Sequence, residues 1–204
     1  MKKVVLITGT SSGLGLAIAV QAAEAGHTVY ASMRDLSKAS LLQEAAQKAE
    51  VAINLIELDV QSGNSVQAAV EQILAAEGRI DVLVNNAGMG FIRSLEQASE
   101  QEIKDVLDIN FMGVVRVTKA VLPAMRNARS GHVINISSVG GLVGQPFNEV
   151  YCSAKFAVEG LTESMASYMT PSFGIHFTAV EPGGIHSEFV NTVLRNVQAS
   201  GGLL

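Results

Sequence analysis

Short runs of β-branched and other apolar residues alternate along the chain with Ala-rich stretches of helical character. The runs Lys3–Thr8, His27–Ser32, Val51–Leu58, Ile80–Val84, His132–Ile136 and Ile175–Val180 are bounded by turn-forming residues and predict buried strands. Between them, Leu14–Ala25, Leu36–Ala49 and Ser65–Ala76 predict helices, followed by the longer Ser99–Met125 and Val150–Met169. Parallel strands need helical crossovers, so this alternation predicts a doubly wound α/β fold: a parallel sheet with helices on both faces. The charge-rich Glu96–Asp108 stretch reads as a solvated helix face. No internal repeat or low-complexity linker interrupts the pattern.

Composition narrows the class. A chain of 204 residues, 48% hydrophobic and 16% charged, suits one compact domain rather than a disordered segment. Net charge is −5 with no block of Lys or Arg, which argues against nucleic acid or an anionic membrane surface as partner. The single cysteine, Cys152, excludes an intramolecular disulfide, suits a reducing compartment and reads as a small buried residue. Met1-Lys2-Lys3 and the apolar run after it look like the start of a signal peptide, but the run stops at Thr8-Gly9, too short for one. No segment is long enough to span a bilayer, and a soluble cytoplasmic protein is expected. His27, His132, His176 and His186 show no ligand-type spacing, so no metal is expected, and Met33 and Met89 read as packing residues.

The first strand runs straight into Gly9-Thr10-Ser11-Ser12-Gly13-Leu14-Gly15, and a helix follows. Small residues there let the backbone approach a pyrophosphate, and the helix N-terminus offers it N–H groups. Glycine also serves many turns simply for its permissive backbone. The spacing Thr8-Gly9-x-x-x-Gly13-x-Gly15 resembles the cofactor signature of the classical short-chain dehydrogenases/reductases, whose fold is of the Rossmann type. Asn85-Asn86-Ala87-Gly88 after the fourth strand resembles that family's NNAG motif, and Asp59-Val60 after the third its adenine-contacting pair. Pro182-Gly183 after the sixth strand, with Ile185 and with Ser187 where many members carry Thr, resembles the nicotinamide-side loop. The resemblance thus implies a cofactor site made of Gly9, Ser11, Ser12, Gly13, Leu14, Gly15, Asp59, Val60, Asn86, Ala87, Gly88, Pro182, Gly183, Ile185 and Ser187. At the end of the second strand, where an acid would bind the ribose hydroxyls of NAD, stands Met33, and next to it Arg34, suited to a 2′-phosphate. NADP(H) is therefore favoured over NAD(H), with Asp35 placed to neutralise Arg34 and Ser12 standing where many NADP-linked members carry a basic residue.

Tyr151 and Lys155 are four residues apart in a helical pattern and share one face. Alone, the pair reads as a solvated helix face. Ser138 lies thirteen residues before Tyr151, the spacing of the family's catalytic serine, and Asn110 matches its fourth catalytic member. By itself Asn110 reads as a helix irregularity or a satisfied buried amide. The resemblance implies that Tyr151 is the proton donor, and a nearby ammonium together with the positive charge of oxidised nicotinamide would lower its pKa. It implies further that Ser138 orients the carbonyl, that Lys155 binds the nicotinamide ribose and stabilises tyrosinate, and that Asn110 holds a water of the proton relay.

The segments Met89–Leu95, Gly140–Val150 and Ile185 onward carry Phe91, Leu142, Val143, Phe147, Phe189 and Val193, which points to a small apolar carbonyl or alcohol as substrate. The resemblance implies a homodimer or homotetramer paired through the two long helices. Lys3 to about Ser187 matches the family, and residues 1–204 are expected to form one dinucleotide-binding catalytic domain whose usual final helix and strand are missing. An NAD-linked alcohol dehydrogenase of the same fold stays open, as does a non-catalytic dinucleotide-binding regulator. An epimerase or dehydratase of the extended branch fits the glycine spacing poorly.

Overall fold

The computed structural model describes residues 1–185 and, beyond them, Asn191, Val193, Val197 and Gln198. Its elements run in the order β1 (Val4–Thr8), α1 (Gly13–Glu24), β2 (Thr28–Met33), α2 (Ser40–Lys48), β3 (Asn54–Glu57) and α3 (Gly63–Glu77), then β4 (Val82–Asn85), α4 (Glu100–Leu107), α5 (Gly113–Ala128), β5 (Gly131–Ile136), α6 (Glu149–Phe173) and β6 (Ile175–Val180). The strands form one parallel sheet in the order β3-β2-β1-β4-β5-β6. Side chains alternate across a strand, so each central strand feeds two cores. Along β1, Val4 and Leu6 enter the core formed with Val66 and Ile73 of α3 and Val117 and Val121 of α5. Val5 and Ile7 enter the other, with Ala19 of α1 and Leu42 of α2. This is the doubly wound Rossmann-type arrangement that the strand–helix alternation predicts.

Three expectations need correction. Val51–Leu58 and Ile175–Val180 are not strands buried on both faces: the third contracts to Asn54–Glu57, and both lie at the sheet's edges with exposed alternate residues. The run Leu36–Ala49 is not one helix. Asp35 accepts from the N–H and hydroxyl of Ser37, which starts a 3₁₀ turn at Leu36–Lys38 before α2 begins. Ser99–Met125 is also interrupted. Its start is sound, because Ser99 and Glu102 form a reciprocal capping box. A π-helical turn, Asp108–Met112, then separates α4 from α5.

The interruption has a local cause. A Cβ on Gly113 would lie 2.9 Å from the Val60 side chain, so the chain passes very close to the loop after β3. Arg116 reinforces the contact by donating to the Val60 carbonyl and to Asp108, and Gln61 donates to Asp108 as well. The wide turn carries Asn110 inward, where it is fully buried. Both meanings of Asn110 taken alone, an irregularity and a satisfied amide, hold together. Among the described residues no helix is long and apolar enough to cross a membrane.

The two cores make a direct prediction. Leu83, on central β4, is fully buried, whereas Leu41 on α2 is 54% exposed. In denaturant unfolding, Leu83→Ala should cost about 3 kcal/mol of stability, and Leu41→Ala less than about 0.5 kcal/mol.

Candidate active site

β1 and β4 are neighbours in the sheet, and the crossovers that follow them run in opposite directions, to β2 and to β5. In open sheets of this kind, a crevice opens beyond the carboxyl ends of the strands at that point. The expected cofactor residues gather along this rim. Gly9, Ser11, Ser12, Gly13, Leu14 and Gly15 follow β1, Asp59 and Val60 follow β3, Asn86, Ala87 and Gly88 follow β4, and Pro182, Gly183 and Ile185 follow β6. Ser187 and Phe189 lie outside the described residues.

The glycine turn is built against the segment after β4. Asn86 donates through Nδ2 to the carbonyls of Thr8 (2.8 Å) and Gly9 (2.9 Å), while Thr8 Oγ1 accepts from the N–H groups of Asn86 and Ala87. Gly9 has φ +70°, and a Cβ there would lie 2.7 Å from Ala87 Cα. A Cβ on Gly15 would lie 2.3 Å from the Gly9 carbonyl oxygen. Ser12 occupies the N-cap of α1 yet provides no side-chain cap, unlike Ser62 at α3 and Ser99 at α4. A helix start without such a cap, beside a turn stripped of Cβ atoms, suits a pyrophosphate. At the end of β2, Met33 is buried and Arg34 exposed. Asp35 is turned to Ser37 and Lys38, rather than committed to Arg34.

The four expected catalytic residues converge. Ser138 follows β5, and its Oγ accepts from the Gly140 N–H at 3.1 Å. Tyr151, in the first turn of α6, comes beside Ser138 at Gly140: a Cβ there would lie 3.4 Å from Tyr151 Cε1 and 3.5 Å from Ser138 Oγ. Lys155 is 6% exposed, donates to the Ile136 carbonyl at 2.8 Å, and has its Nζ 5.7 Å from the Tyr151 ring centre. Gly88 separates Asn110 from Lys155: a Cβ there would lie 3.1 Å from Asn110 Oδ1 and 3.9 Å from Lys155 Nζ.

Burial pushes the Tyr151 phenol above its ordinary value; the Ser138 hydrogen bond opposes the rise and Cys152 adds to it. In the chain without nicotinamide, burial therefore sets the direction of the phenol's shift. Burial brings Lys155 down to about 8, with Glu159 opposing. The Asn110 amide is engaged at both ends by Met89, accepting its N–H at 2.7 Å and donating to its carbonyl at 2.8 Å.

A buried polar chain that the sequence did not announce lies under the site. Asn85 donates to Thr118 Oγ1 and to Asn135 Oδ1, Asn135 donates to Thr162, and Thr162 donates to the Val158 carbonyl. It links β4 and β5 to α5 and α6, so the strand that ends at Ser138 is held against the helix bearing Tyr151. Its sequence signals were Asn85, in the motif after the fourth strand, and Asn135, polar inside an apolar run. The loops expected to meet substrate are tied together too. The Arg93 N–H donates to the carbonyl of Phe147, which sits at φ +62°, and the Val139 N–H donates to the Pro182 carbonyl. Leu95, Leu142 and Val143 are exposed there, while Val193 is buried. An apolar hollow of about 370 Å³ lies on the α1 face, lined by Leu14, Ile18, Ile134, Val180 and Ile185 among others. Neither Ser138 nor Tyr151 lines it.

A family model for the short chain dehydrogenases matches residues 3–198. The chain belongs to the short-chain dehydrogenase family. Human 17-beta-hydroxysteroid dehydrogenase type 1 is 46% identical over 199 residues, which cover 95% of this chain and 60% of that relative. The chain therefore spans about three fifths of that protein's length. An actinorhodin polyketide ketoreductase solved with NADPH is similar at a TM-score of 0.91 and 31% identity, covering 97% of this chain and 76% of the other. A short chain dehydrogenase/reductase from Burkholderia phymatum, solved with NAD, gives 0.88 and 27%, covering 98% and 72%.

Two outcomes follow for this short-chain dehydrogenase. Gly15→Ala forces a Cβ onto the Gly9 carbonyl, so nicotinamide dinucleotide affinity, read by fluorescence titration, should fall more than about tenfold. Gly63→Ala, which meets nothing within 4 Å at the start of α3, should leave it unchanged. The second outcome concerns pH. Lys155 has its pKa lowered from 10.5 to about 8, so the folded chain binds fewer protons than the unfolded chain across that window. Stability must then rise with pH from about 8 towards 10.5. Urea unfolding at stepped pH should show the wild type gaining on the order of 2 kcal/mol relative to Lys155→Met over that window.

Proposed function

We propose that this chain is the dinucleotide-binding catalytic domain of an NADP(H)-dependent reductase, which converts an apolar ketone or aldehyde to its alcohol or runs the reverse oxidation. The observation that carries this reading is the meeting of the Tyr151 ring and the Ser138 hydroxyl at Gly140, with the buried Lys155 one turn further along α6.

Bound NADPH would supply hydride to the carbonyl carbon. The chain's own residues have then to protonate the carbonyl oxygen and stabilise its developing charge. Tyr151 gives up its phenolic proton. Ser138 accepts from the Gly140 N–H, so its hydroxyl proton is left to donate to the same oxygen. Lys155 spends one of its three N–H donors on Ile136, leaving the others for ribose hydroxyls and for tyrosinate. Asn110 holds the turn at Met89 and so positions the floor of the nicotinamide pocket.

Preference for NADP(H) draws support from exposed Arg34, from Met33 offering no carboxylate, and from Asp35 being engaged with Ser37 and Lys38. An apolar substrate is supported by exposed Leu95, Leu142 and Val143, and by the hydroxysteroid chemistry named for the human relative. We assign the assembly as a homodimer or homotetramer, in keeping with exposed Met112, Phe156 and Tyr168 beside and along the two long helices. A cytoplasmic location accords with a single cysteine that is buried and unbridged.

The test is absorbance at the reduced-nicotinamide band, with NADPH or NADH and a panel of apolar ketones and aldehydes. NADPH consumption well above NADH consumption is expected, and Tyr151→Phe should lower turnover at least a thousandfold, at the order expected for a lost general acid, while NADPH binding persists. Faster turnover with NADH overturns the cofactor assignment, and substantial turnover by Tyr151→Phe overturns the proton-donor role.

A further inference from the structure

Glu159 follows Lys155 by one turn of α6 and is only 9% exposed, and its Oε1 has no hydrogen-bond partner. A carboxylate so far from water is costly unless a cation answers it. Lys155 is as deeply buried, and its hydrogen bond goes to a neutral carbonyl, that of Ile136. Residues four apart on a helix are surface neighbours, so each charge lies within reach of the other's field. Ser137 Oγ is buried without a partner too. It lies 2.7 Å, and Glu159 Cγ 3.2 Å, from the place a Cβ would take on Gly141. The missing side chain at Gly141 thus leaves room for both the Glu159 stem and the Ser137 hydroxyl to come close to the turn that follows Ser138.

We propose that Glu159 is the counter-charge of Lys155, a positioning residue that keeps the ammonium protonated beside Tyr151 and seats α6 against the Ser137–Ser138 strand end. This rests on the reading of Tyr151 as proton donor. Glu159 favours the protonated form of Lys155, against the burial that drives the proton off. The other titratable and charged groups nearby are accounted for. On α6 these are Tyr151, Cys152 and the solvent-exposed Glu149, Glu163 and Tyr168. On the neighbouring α4 and π turn, Asp108 is held by Arg116 and Gln61, Lys104 by Glu100, and Asp105 by Gln101. His176 of β6 is directed to His132, and the 3₁₀ turn Val139–Gly141 carries no charge.

The experiment follows the Lys155 titration by NMR of the full chain labelled at lysine ¹³Cε, with the signal assigned by its loss in Lys155→Met. Glu159→Gln keeps the shape and removes the charge. The midpoint should fall by about one pH unit, and Glu159→Asp should restore most of it. In the reductase assay the alkaline limb of kcat should move to lower pH by the same step, with KM for NADPH changed less than about twofold. A midpoint unmoved in Glu159→Gln overturns the proposal. Should Glu159→Gln alone not fold, the double variant Lys155→Met/Glu159→Gln decides. Paired charges require it to be more stable than Lys155→Met, and a less stable double variant overturns the pairing. The NMR readout needs no substrate, so a chain without turnover would sink the functional reading while leaving this test intact.

Discussion

The Asn86 amide grips the carbonyls of Thr8 and Gly9, and much of the site depends on that grip. It sits where β1 and β4 stop pairing and their chains part, which is where a doubly wound sheet opens its crevice. Two carbonyls at a chain end would otherwise turn to water and let the turn drift. Held as they are, they allow Gly9 to lie against Ala87 and Gly15 against Gly9, distances at which no side chain fits. The start of α1 is thereby aimed over the rim of the sheet.

A second constraint is laid perpendicular to the first. The chain Thr118–Asn85–Asn135–Thr162 crosses the sheet inside the apolar core and ends in α6. Buried amides and hydroxyls are tolerated only when paired, so this chain admits few arrangements of β4, β5 and the two long helices. Ser138 and Tyr151 meet because the strand carrying one and the helix carrying the other are locked by the same hydrogen bonds. Thr10, bonded through both N–H and hydroxyl to the Ser32 carbonyl, extends the frame to β2 and Arg34.

Burial sets the electrostatics within that frame. Tyr151 and Lys155 are each pushed toward the neutral form, the phenol upward and the ammonium down to about 8. The phenol thus holds its proton more firmly while the ammonium loses its own more easily. Solvated, the same residues would be the inert pair on a helix face that their spacing alone suggests.

Local pattern was enough for the alternation of elements, the buried central strands and the glycine turn after the first strand, whereas Ser138, Tyr151 and Lys155 were brought into register by a family resemblance. These are legible because strand and helix periods, turn chemistry and motif spacing act over short stretches of chain. It was not enough for the edge positions of β3 and β6, the π turn at Asp108–Met112, the engagement of Asn110 with Met89, or the raised Tyr151. Each of those depends on contacts distant in sequence: Val60 against Gly113, Met89 against Asn110, and the packing that buries Tyr151. Burial and hydrogen-bond satisfaction belong to the packed molecule, so only the tertiary structure could decide them.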